Sequence, residues 1–152
     1  MKKLQISLSF ILVFLAVCCA GKQIEDDKIK RQIDVFGVYL SSSVEYKEIN
    51  GDPAVEESCS CSDGYDLNFD VLDITIGYTA NKKIRKITTY NPGTSMFGIR
   101  PGMSFSSSRQ KILDAGFSES GRSFMFTNGR YLVTFLVEKK DDIFGLIIET
   151  AE

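Results

Sequence analysis

Histidine is absent from all 152 residues. Without an imidazole, the usual general base near neutral pH, the Ser-His nucleophile pair and most zinc sites are excluded together. An excess of positive charge is missing too. The 18 Lys and Arg against 20 Asp and Glu give a formal charge of −2, which argues against nucleic acid, whose phosphates need a basic face. Glycines 93, 98 and 102 are not followed by the Lys-Ser/Thr pair of a phosphate loop. The acids Asp63, Asp66 and Asp70 lack the ligand alternation and distal glutamate of a calcium loop, and read as solvated charges rather than a catalytic pair. These absences point away from an enzyme and imply no metal and no cofactor.

Long apolar runs are scarce as well. The one present, Leu4 to Val17, follows Met1-Lys2-Lys3 and precedes Cys18-Cys19-Ala20. It is shorter than the roughly 20 residues of a spanning helix, and its charged start, apolar middle and small-residue end have the form of an export signal over residues 1–20. Loss of that leader removes Lys2 and Lys3 and no acid, taking the formal charge from −2 to −4. Leu15-Ala16-Val17-Cys18 resembles the lipobox of bacterial lipoproteins, which makes Cys18 or Cys19 the candidate lipid anchor. Two acyl chains hold a protein at a membrane without a spanning helix, whereas simple cleavage leaves a secreted protein.

Four cysteines occur, and only Cys59 and Cys61 lie beyond the leader. One residue apart, they close a very small, strained ring, so a disulfide between them is a labile one. The pair admits three readings: an inert loop pair or local disulfide, a thiol-active site, or part of a metal site that has no further ligands of this type in the chain.

What is present is organised twice over. Residues 21–35 form a charged tether, with at most a helical turn bringing Ile29 and Ile33 to one face. The first unit, 36–90, opens on Gly37-Val38-Tyr39-Leu40. Ser42-Ser43-Val44-Glu45 has capping-box form and predicts a short helix ending near Asn50, with Gly51 at C′ and Pro53 beyond. An acidic, serine-rich loop follows over 54–64. Strands are then expected at 65–69, 72–78 and 84–90 from alternation and β-branching. The second unit, 97–150, opens on Gly98-Ile99-Arg100-Pro101-Gly102-Met103. It continues with a helix capped by Ser104 and ending near Gly116, about one turn longer than the first. Strands should run at 123–127, 130–138 and 143–150, the first two joined by a type I′ turn at Asn128-Gly129. The apolar run 143–150 should lie centrally, covered on both faces. The expected fold is α+β: one domain over 36–152, with a six-stranded antiparallel sheet and two helices on one face.

The openings Gly37-Val38-Tyr39-Leu40-Ser41-Ser42-Ser43 and Gly98-Ile99-Arg100-Pro101-Gly102-Met103-Ser104, with Gly51-Asp52-Pro53 after the first helix, resemble a family of small exported bacterial proteins. Its members are similar to β-lactamase inhibitory protein and to the SmpA/OmlA outer-membrane lipoproteins. That resemblance, spanning residues 36–150, implies a tandem helix-plus-meander fold and a non-enzymatic protein that binds other proteins. It carries over no site residue.

The function expected is therefore a non-catalytic cell-envelope or secreted protein-binding module whose partner is another envelope or extracellular protein. It would contact the membrane only through a lipid anchor. Tyr39, Tyr90 and Arg100, at unit openings or a strand end, are the candidate partner contacts, with edge packing as the plainer reading. The polar side of the sheet, with Asp73, Thr75, Thr79, Thr134 and Glu138, is the candidate binding face. The alternative is a thiol-active or small-molecule-binding envelope protein centred on Cys59 and Cys61.

Overall fold

The computed structural model describes residues 27–57, 64–138 and 141–151. It divides the chain into two compact units, Met1–Arg31 and Gln32–Glu152. In the first, residues 27–30 are helical and Arg31 N donates to Asp27 O. Ile33 is no part of that turn, because it belongs to a strand in the second unit.

That second unit is built on an antiparallel sheet of eight strands. One side is a meander of β4 (Val55–Glu57), β5 (Gly64–Phe69), β6 (Ile74–Thr79) and β7 (Ile84–Thr89). The other comprises β9 (Ser118–Glu119), β10 (Met125–Thr127), β11 (Tyr131–Glu138) and β12 (Asp142–Thr150). The order across the sheet is β4-β5-β6-β7-β12-β11-β10-β9, so the last strand of each meander meets the other at the centre. Two short pairs flank it: β1 (Ile33–Asp34) with β8 (Ser95–Met96), and β2 (Glu48–Ile49) with β3 (Asp52–Pro53). The helix α1 (Phe105–Asp114) lies between β8 and β9 in the chain.

Eight strands replace the expected six because β4 and β9 add an edge on each side. Both are short, polar and exposed. Such segments have no apolar alternation to announce them, and short edges are how sheets limit unwanted pairing. The tether expectation over 21–35 is corrected in the same way, since Ile33 and Asp34 pair with Met96 and Ser95.

Period-two alternation sends Leu67, Phe69, Ile74, Ile76, Tyr78, Ile84, Ile87, Val133, Phe135, Ile143, Leu146 and Ile148 to one face, where all are buried. The helix covers part of that face through Ile112, which is fully buried, and through Phe105, which contacts Phe126 and Phe135. Ser104 caps it by accepting from Ser107 N, as its sequence predicts. The opposite face carries Asn68, Thr75, Lys86, Thr88, Thr134, Leu136, Ile147 and Glu149, most of them only half-buried. β12 is central as expected but not covered on both faces: Ile147 is half-buried and Phe144 exposed.

The first expected helix does not form. Ser42 Oγ accepts from Val44 N in a local turn instead of capping a helix. The Glu45 carboxylate accepts from Lys82 Nζ at 2.9 Å and Tyr65 Oη at 2.8 Å. The Tyr78 hydroxyl then holds the chain extended, accepting from Tyr46 N and donating to Val44 O, each at 3.2 Å. Asn50 and Gly51, with φ of 49° and 84°, are no helix terminus; they form the type I′ turn between β2 and β3. At Asn128-Gly129 only Gly129 has positive φ, so the expected type I′ turn is not adopted there. Asn128 Oδ1 instead accepts from Arg130 N and Tyr131 N.

Several local features recur at fixed spacing. Phe36-Gly37 and Phe97-Gly98, 61 positions apart, both have positive φ and are closed by Val38 N to Val35 O and Ile99 N to Met96 O. Ser41 N and Ser42 O bond Ile84, just as Gly102 N and Met103 O bond Ile143. Each meander has a bulge before its last turn, at Gly77/Tyr78 and at Leu136/Val137, 59 positions apart.

Candidate functional site

The bulges decide what the open face presents. An extra residue in one strand of an antiparallel pair redirects a side chain. In β7 that residue is Arg85, between the paired Ile84 and Lys86; in β12 it is Phe144, between the paired Ile143 and Gly145. Arg85 and Phe144 stand 59 positions apart, yet they create two different corners.

At the Arg85 corner the chemistry is ionic. Asp66 accepts from Arg85 Nη2 at 3.2 Å and from Lys86 Nζ at 2.9 Å, while Arg85 Nε donates to the Tyr78 carbonyl oxygen at 3.2 Å. Gly77 makes this possible, because a Cβ there would lie 2.8 Å from Asp66 Oδ1. Asp66 is therefore a partly buried ion-pair centre and not the solvated charge expected from sequence. Glu149 lies opposite Lys86 in register.

At the other corner the chemistry is apolar. Tyr90 and Phe144 stack with ring centroids 6.1 Å apart and planes within 14°. They remain 44% and 45% exposed. A Cβ on Gly145 would lie 2.8 Å from Tyr90 Cδ1 and 3.0 Å from Leu136 Cδ1. The missing side chain lets the ring lie against the strand. Lys86 and Tyr90 are four residues apart, so the two corners are separated by about 13 Å along β7.

Of the predicted contacts, Tyr90 thus gains a built environment. Tyr39, 41% exposed, and Arg100, also exposed, follow the two Phe-Gly turns at matching positions. No hydrogen bond, ion pair or ring contact joins either of them to Tyr90 among the described residues. Thr75 and Thr134 lie on the open face as expected, but Asp73 is a turn residue with φ of 50° and Glu138 sits at the exposed end of β11. Phe144, Leu136 and Gly145 were not singled out in the sequence. Their signal was Gly145 inside an apolar run, since a strand glycine marks a bulge or a close approach.

A third cluster ties the irregular segment to the sheet. Tyr65 stacks on Tyr78 at 5.0 Å, and its hydroxyl donates to Glu45. Burial, followed by that bond to a carboxylate, pushes the Tyr65 phenol up to about 12. Burial also raises Tyr78 and Tyr46, while the bonds from Lys82 and then Tyr65 lower Glu45. This cluster ties residues 44–46 to β5 and β6.

Among the described residues no three Cys, Asp or Glu side chains gather as a metal site, and no helix is long and apolar enough to cross a membrane. The leader expected over residues 1–20, with Cys18 and Cys19, and the residues Cys59, Cys61 and Asp63 lie outside the described residues. Fold and faces together define a class: an antiparallel α+β sheet protein with one face packed and one face open. Comparison of the chain with protein-family models, curated proteins and solved structures finds no match.

Proposed function

We propose that this chain is a non-catalytic, exported or lipid-anchored cell-envelope protein that binds another protein through the open face of its sheet. One observation carries the reading: two stacked aromatic rings, Tyr90 and Phe144, stand nearly half exposed on a strand surface whose glycine is shaped to receive one of them. Rigid aromatic anchors beside a polar, ion-paired surroundings are the composition of an interface centre and its rim. The leader over 1–20, with Cys18 or Cys19 as anchor, supports the compartment. Mass spectrometry of the natural N-terminus tests that part, since an unmodified Met1 would remove it.

We further read the domain as a tandem of two related units, each a turn, a covering segment and a meander. Supporting this are the Phe-Gly turns, the bulges and the registers. Thr88 pairs with Ile147 and Asp34 with Ser95. Those partners are 59 and 61 positions apart, the same spacings as the recurring features, as expected when a two-fold axis relates the halves. Failure of 36–90 to superimpose on 97–150 in an experimental structure would sink this reading.

The binding reading is tested by a pull-down from the native envelope with the wild-type chain and with the double variant Y90S/F144S. Truncating central aromatic anchors costs at least about 2 kcal/mol each in typical interfaces. The partner retained by the wild type should therefore be lost from the variant, with thermal unfolding of the variant little changed. Equal recovery by both proteins would refute the assignment.

A further inference from the structure

Away from the open face, α1 and the β9–β10 hairpin leave a cleft of about 370 Å³, which is in the size range of small-molecule sites. Its walls are aromatic. Phe105 meets Phe124 edge-on at 4.8 Å and 89°, and lies 6.2 Å from Phe126, which is buried and closes the floor.

Phe124 has φ of 62°, a left-handed conformation that costs a side chain about 1–2 kcal/mol and glycine almost nothing. Phe97 bears a similar φ of 57°, but its ring is only 6% exposed and stacks edge-on with Phe117. Phe124 stays 40% exposed, so burial offsets much less of the cost. A large aromatic ring held exposed at a strained backbone position is available for contact with a ligand.

The rim carries one cation and one anion, Arg122 and Glu119. Arg122 lines both the cleft and a second depression that holds Arg85, Leu132 and Glu149, and its guanidinium has no hydrogen-bond or ion-pair partner among the described residues. The opposing anion, Glu119, is already held by Arg109 Nε at 2.8 Å. A guanidinium at the rim of an aromatic cleft suits a flat apolar body that ends in a carboxylate, because the fork binds carboxylate oxygens in a bidentate manner while the rings take the apolar part.

We propose that this cleft is a binding site for small aromatic carboxylates, with the ligand ring packed against the joined Phe105–Phe124 wall and Arg122 holding the carboxylate. Titrating the full chain with phenylacetate, and in parallel with the neutral 2-phenylethanol, tests it by calorimetry and by shifts of the Phe105, Phe124 and Phe126 ring resonances. Phenylacetate should saturate and bind about tenfold tighter than the alcohol, the margin of a charge-assisted pair. R122Q should reduce the acid to the alcohol's affinity and leave the alcohol unchanged. F124G should weaken both ligands at least about tenfold while the protein stays folded at the titration temperature, because relief of the backbone strain offsets part of the packing lost against Phe105. No saturation by phenylacetate, equal binding of acid and alcohol, or an F124G variant that binds as the wild type does would each overturn the proposal.

Discussion

Residues 35–53 and residues 97–117 cover neighbouring parts of one sheet face by different means. The later stretch does so with a capped ten-residue helix, Phe105–Asp114. The earlier one does so with an extended segment and a two-residue hairpin, although it too opens with a serine cap signal and ends in a glycine. The difference is decided beneath the segment, in the sheet. Tyr78 and Val137 occupy matching bulge positions 59 residues apart. Tyr78 carries a hydroxyl that satisfies one N–H and one C=O of extended backbone above it, and Val137 has none to offer. A helix over 44–50 would hold only about two turns, which is marginal without strong packing. A tertiary hydrogen-bond pair and the Asn50-Gly51 turn therefore outcompete the cap. Equivalent carbonyls are nonetheless served in both stretches, Gly37 O by the Tyr46 hydroxyl and Gly98 O by Lys111 Nζ.

Removing that hydroxyl is the most direct way to break the contrast. Tyr78→Phe keeps the buried ring and its stack on Tyr65 but leaves Tyr46 N and Val44 O without their partner. A loss of about 1–3 kcal/mol is expected, the summed net worth of two hydrogen bonds to partly buried backbone groups. Urea unfolding measures the total, and amide exchange at Tyr46 should accelerate while Ile112 in the helix is unaffected. A change below about 0.5 kcal/mol would mean that the extended segment rests on something other than this side chain.

Alkaline pH should loosen the two covers unequally. Tyr65 and Tyr78 titrate above the ordinary 10.0, Tyr65 at about 12, so the folded state keeps protons that the unfolded chain releases. Stability from these groups is intact below about pH 10 and declines as pH rises through 12. Ionised Tyr65 would also face the Glu45 carboxylate. Exchange protection over 44–49 should therefore fall before that over 106–114. Simultaneous loss of both would remove the phenol cluster as the cause.

The strands were the legible part of this fold. β5, β6, β7, β11 and β12 alternate or run apolar, and burial against a shared core enforces what alternation announces. β4 and β9 were silent, since exposed edge residues need no apolar period. The first cover was misread because Ser42, Glu45 and Gly51 each have two uses, and which one operates depends on contacts that Tyr65, Tyr78 and Lys82 make with residues 44–46, at least twenty positions away in the chain. Tyr90 was found by its position at a strand end. Its neighbours at the aromatic corner were not, because a bulge alone brings Phe144 onto that face.

The smallest effect expected lies in the helical cover. Ser108 is fully buried on α1 and its hydroxyl has no partner among the described residues. Alanine there removes a desolvated polar atom and improves helix propensity by up to about half a kcal/mol. The loss of one oxygen leaves a void too small to offset that gain. Ser108→Ala should therefore stabilise the protein by roughly 0.5–1.5 kcal/mol in urea unfolding. It should leave exchange over 44–49 unchanged, because the extended cover draws nothing from α1. Destabilisation by Ser108→Ala would show that the hydroxyl is satisfied in solution, and a change confined to residues 44–49 would show that the two covers are coupled.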